Sequence, residues 1–152
     1  MTEIQRIQDQ LKKSFEGESW HGPAVREALA GVTAAQAARR PIAGAHTIWE
    51  IALHMATWKT IVMRRLSGEP VTDVAPEVDW PPVRAVGEAA WQAALHGLEQ
   101  VQAELRQALA QVRDDQLDQP PAKGTSTRYV LLHGIIQHDL YHAGQIAVLK
   151  KG

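Results

Sequence analysis

Two histidines, His138 and His142, stand four residues apart in a run that reads as one amphipathic helix, Tyr129–Lys150. At about 100° per residue, Leu131, Ile135, His138, His142, Gln145 and Leu149 fall within about 40° of one line down that helix. Both imidazoles therefore face the core. A buried neutral imidazole loses hydration and needs a partner for each nitrogen, so two stacked one turn apart are costly unless they share something. A divalent metal ion is the economical partner. A third histidine, His54, repeats the pattern on the helix His46–Ser67, where Ile51, Met55, Trp58, Ile61 and Val62 mark the buried face. Three neutral nitrogens plus an open position make the ligand set of a catalytic rather than a closed structural site. Four-residue spacing lets one helix supply two ligands while a facing helix supplies the third.

Other residues near these three divide between structural and chemical roles. Gln145 is either the polar end of the core stripe or a hydrogen bonder in a pocket. Glu50 lies one turn before His54; it is first a helix cap and second an acceptor that orients a ligand imidazole. These two are the candidates for orienting a ligand or substrate. Asp139 and Tyr141 flank the histidines on other faces, which suits structural or interface roles, with Tyr141 near enough to reach a pocket rim. His133 sits about 140° around the helix from His138 and reads as surface or interface. His46 and His96 read as solvated. His21, in Trp20-His21-Gly22-Pro23, belongs to a loop that could fold over the site, but loop packing is its simpler role. Trp58, Trp80 and Trp91 are hydrophobic bodies before they are substrate platforms.

Rival chemistries can be tested on the same residues. A di-iron bundle wants carboxylates from two helices and a Glu-x-x-His pair from each of two others. The chain holds one such pair, Glu18–His21, beside a Gly-Pro break. It has no His-Glu-x-x-His motif, no phosphate-binding Walker loop and no nucleophile elbow. With no cysteine there is no thiolate ligand, cysteine nucleophile or disulfide. A carboxylate-free set of imidazoles leaves an ion its full charge, favouring Lewis-acid or nucleophile-activating chemistry over oxygen activation.

The elements that must hold these side chains are all helical. Thr2 with Gln5 forms a capping box that opens a first helix striped by Ile4, Ile7, Leu11 and Phe15, and Gly17 ends it. Pro23 suits the first turn of a short helix through Val25, Leu29 and Ala30. A second short piece, Ala34–Arg39, stops at Pro41. Thr47 and Glu50 form another capping box at the start of the His54 helix. The stretch from Ser67 to Val86 carries Pro70, Pro76, Pro81 and Pro82, which exclude a helix interior; a connection this long is usually functional or mobile. A third long helix, about Val86–Val112, shows Trp91, Leu95, Leu98, Leu105, Leu109 and Val112 on one face. The loop 114–127 leads to the last helix. Four long helices with short extra ones predict a four-helix bundle.

Length and charge set the remaining bounds. At 152 residues the chain suits one helical domain spanning 1–152. The net charge of −1 mixes both signs, and no basic stripe tracks a phosphate backbone, so nucleic acid is not an expected partner. No run approaches the roughly 18 apolar residues of a membrane span, and Met1–Lys13 lacks a signal-peptide core, so a cytoplasmic location is expected.

The segment His138-Asp-Leu-Tyr-His142-Ala-Gly-Gln145-Ile, with the earlier Ile48-Trp-Glu-Ile-Ala-Leu-His54-Met, resembles the DinB/YfiT-like superfamily over nearly the whole chain. The resemblance implies a four-helix bundle of up-down-down-up topology, commonly dimeric, holding nickel or zinc through three histidines. By position these are His54, His138 and His142. Relatives with assigned activity include bacillithiol and mycothiol transferases and a thiol-dependent maleylpyruvate isomerase. The expectation is thus a metal-dependent enzyme that activates a small thiol or a water for attack on an electrophile. The competing expectation is a non-catalytic metal-binding or stress-related helical protein, for which four saturating ligands and no cavity would speak.

Overall fold

The computed structural model describes residues 1–152 and contains helices without strands. Four are long: α1 (Glu3–Glu16), α4 (Ile48–Leu66), α6 (Glu88–Leu109) and α7 (Arg128–Leu149). Three are short: α2 (Val25–Leu29), α3 (Ala34–Ala38) and α5 (Pro76–Asp79), and a 3-10 turn covers Asp114–Gln116. α1 and α4 each pack against both α6 and α7, which makes a four-helix bundle with α2 and α3 laid on its flank.

Local chemistry accounts for most of the boundaries. Both capping boxes form, Thr2 with Gln5 and Thr47 with Glu50, satisfying helix-terminal N–H groups that have no partner inside the helix. The α1 terminus gains a second anchor, because the Asp114 carboxylate accepts from the Glu3 and Ile4 amides at 2.9 Å each. Two expectations shift slightly. Pro23 lies ahead of the α2 cap, Ala24, rather than in its first turn. The proline-rich segment after Ser67 holds α5, where Pro76 occupies the first turn, a position whose missing N–H costs nothing.

The core is two apolar clusters with a polar layer between them. One cluster includes Phe15, Trp49, Met55, Trp91, Leu98 and Ile146; the other includes Leu11, Val62, Leu105, Leu109, Leu132 and Ile136. On each long helix a polar residue separates the two sets: Ser14 on α1, Lys59 on α4, Gln102 on α6 and Asp139 on α7. Lys59 and Asp139 are completely buried, and the ammonium meets both carboxylate oxygens at 2.7 Å. Ser14 donates to the same carboxylate at 3.4 Å. Burial lowers the Lys59 pKa and raises that of Asp139, each shift opposed by attraction to the other.

Candidate metal centre

α4 and α7 bring together the three histidines singled out from the sequence. Nε2 of His138 lies 3.0 Å from Nε2 of His54 and 3.1 Å from Nε2 of His142, and the ligand atoms of the three all lie within 4.8 Å of one another. His54 and His142 are buried and His138 is half-buried.

The partners of the opposite ring nitrogens fix the tautomers. Nδ1 of His54 contacts the backbone carbonyl of Asp79 at 2.7 Å. A carbonyl only accepts, so Nδ1 carries the hydrogen and Nε2 is a lone pair. Nδ1 of His142 donates to Oε1 of Gln145 at 2.6 Å, leaving its Nε2 a lone pair as well. His138 Nε2 thus faces two lone pairs. One hydrogen there serves only one of them well, and Nδ1 of His138 is buried without a partner. A cation satisfies all three Nε2 atoms at once, and neutral imidazoles are the donors that zinc and nickel accept. The donor set fits a divalent ion.

The electrostatics agree. Burial lowers the pKa of His138 to about 3, with the neighbouring histidines and Lys59 adding to the effect. Burial lowers His142 to about 4 against the opposing hydrogen bond that it donates to Gln145. His54 is lowered by burial too, against its contacts with Asp79. All three stay neutral at pH 7, as ligands must.

The segment between α4 and α6 closes one side of the cluster. Trp80 lies parallel between two imidazoles, 3.8 Å from His54 and 3.5 Å from His46 by ring centroids. The Asp79 carboxylate accepts from the Trp58 indole at 2.6 Å, tying this segment back to α4. A cavity of about 580 Å³ opens beside His142 and Gln145, with Trp80, His46, Ile51 and Tyr141 among its walls. A smaller hollow of about 240 Å³ lies at His138, against Trp58 and Arg65.

Other candidates fall elsewhere. Glu50 caps its helix by accepting from the Thr47 amide at 2.8 Å, and its remaining bonds go to Arg40 and His46 rather than to a ligand imidazole. Although burial opposes it, these bonds hold the Glu50 carboxyl below its ordinary pKa. Gln145 is bonded to His142 and lines the cavity. Asp139 is structural. Tyr141 reaches the cavity rim. His133 packs on Tyr129 away from the cluster, His96 is exposed, and His21 lies beside Trp20 in a different hollow. His46 is exposed, as read, and is also stacked on Trp80 and bonded to Glu50. Sequence reasoning also missed Lys59, Asp79 and the part played by Trp80. The one available signal was the length of the 67–86 connection, which marks it as functional without saying which residue turns inward.

A helical bundle whose facing helices contribute three convergent imidazoles defines a class of bundles with a core site able to hold a metal ion. The DinB superfamily model matches residues 19–146, and the chain belongs to that superfamily. Neither the curated proteins nor the solved structures contain a match to it.

Proposed function

We propose that this DinB-superfamily chain is a metal-dependent enzyme that holds nickel or zinc through His54, His138 and His142 and promotes attack of a small thiol or a water on an electrophile. The observation that carries the reading is the convergence of three lone-pair nitrogens beside a cavity large enough for a small molecule. A bound divalent ion supplies Lewis acidity there, bringing a thiol or water toward deprotonation near neutral pH. The chain does the rest. Asp79 and Gln145 hold two of the imidazoles in the tautomer that presents Nε2. Trp80 covers His54 and shields it from water. A homodimer in the cytoplasm is part of the same reading.

The test starts with protein purified without an affinity tag. Elemental analysis is expected to find about one nickel or zinc ion per chain. A panel of small thiols with several electrophiles, and activated esters for the hydrolytic branch, is then expected to show turnover that the His142→Ala variant lacks. Stoichiometric metal with no turnover above that variant across the panel overturns the enzyme reading in favour of a metal-binding protein.

A further inference from the structure

We infer that the cavity beside His142 recognises an uncharged, largely apolar molecule that carries one hydrogen-bond acceptor and one N–H donor, a carboxamide being the simplest class. The inference deepens the proposed function by naming the substrate chemistry of the same site, and rests on that reading for its connection to catalysis.

The cavity lining contains no aspartate, glutamate, lysine or arginine. The charges behind His46 are committed to each other, since Arg40 meets Glu50 at 2.8 Å. Ile51 and Leu149 form an apolar floor and Ile42 and Val148 the outer wall. The lining itself therefore offers a charged ligand no counter-charge in return for lost water, the one counter-charge an anion could meet being an ion held at the histidines, whereas a neutral ligand gains from apolar burial.

Two wall residues then set the polarity. Gln145 spends its carbonyl oxygen on His142, so its amide nitrogen, which makes no hydrogen bond within the protein, is a donor to the cavity. A neutral His46 ring that donates from Nδ1 to Glu50 at 3.1 Å presents Nε2, likewise without a protein partner, as an acceptor. A carboxamide complements both: its oxygen accepts from Gln145 and its N–H donates to His46.

Three probes of nearly equal shape separate the alternatives: 2-phenylacetamide, phenylacetate and phenethylammonium. Each is titrated calorimetrically into full-length protein, both zinc-loaded and chelator-treated; the second sample removes any direct bond between carboxylate and ion. In chelator-treated protein the amide is expected to bind roughly tenfold more tightly than either ion. His46→Phe keeps a ring on Trp80 but removes the acceptor, and is expected to erase the preference for 2-phenylacetamide over its N,N-dimethyl derivative. Val148→Lys adds a charge at the exposed rim and is expected to shift the preference towards phenylacetate. Equal or tighter binding of either ion to chelator-treated protein, or no amide binding by folded protein, overturns the inference. Zinc content and turnover are read on the same samples, so their loss with the amide preference intact sinks the catalytic reading alone.

Discussion

Nδ1 of His54 donates to the backbone carbonyl of Asp79 at 2.7 Å, so a metal-ligand candidate on α4 is oriented by the main chain of a connection 25 residues further on. The contact joins the cluster to the segment that carries Trp80. Replacing Trp80 with alanine strips the stack from His54 and loosens that contact. Outer-sphere changes of this kind typically cost 10- to 100-fold in metal affinity. A loss of about that size is expected in competition with a chromogenic chelator, with helicity unchanged.

Metal content should follow the helical phase. His138→Ala or His142→Ala leaves two nitrogens, too few to hold a divalent ion firmly, and should lose stoichiometric zinc in elemental analysis. His133→Ala, on the far face beside Tyr129, should keep it.

The low pKa values of His138 and His142 make stability depend on pH. The unfolded chain takes up protons near 6.5, whereas the folded chain holds them off until about 4 at His142 and about 3 at His138. The unfolded state therefore binds more protons across that window. This part of the stability is complete above about pH 6.5 and is lost as pH falls through the window. Chelator-treated protein should show a lower urea midpoint at pH 5 than at pH 7.5, and the difference should shrink in a His138→Leu, His142→Leu double variant.

The Lys59–Asp139 pair should respond very differently to single and double changes. Lys59→Met or Asp139→Leu alone strands a fully buried charge and is expected to cost about 3–5 kcal/mol in chemical denaturation. The double variant removes both charges and should recover most of that loss. Additive single costs would show that the pair is not coupled.

Removing the ion should leave the scaffold standing. Neither apolar cluster counts any of the three histidines among its members. Far-ultraviolet helicity should therefore survive chelation at room temperature, with a lower melting temperature from lost ligand linkage. Collapse of the helical signal would mark the ion as a structural staple.

The sequence made legible what depends on spacing within one helix. The capping boxes at Thr2 and Thr47, the long helices to within a few residues, and the inward phase of His54, His138 and His142 all follow from local chemistry and a 3.6-residue period. What escaped was decided between elements. Lys59 lies on the core side of α4, where a periodicity argument expects an apolar residue, and only Asp139, 80 positions away, explains it. His46 is legible as an exposed helix-start residue, but its stack on Trp80 is not. Glu50 was legible as a cap but not as the partner of His46, because the same four-residue spacing also brought it towards His54.

The positions of the ligands along the chain also set the timing of the site's assembly. His54 and His138 are 84 residues apart, and α6 and both long connections lie between them. During synthesis a nascent chain with α4 complete offers one imidazole of the three, and a single nitrogen grips an ion weakly. The other two arrive together on α7, made after α4 and α6, and meet His54 only once that large loop has closed. Any ion the three histidines hold is thereby expected to be captured late in biogenesis, after the apolar helices have begun to pack, and a chain arrested before α7 is expected to hold none.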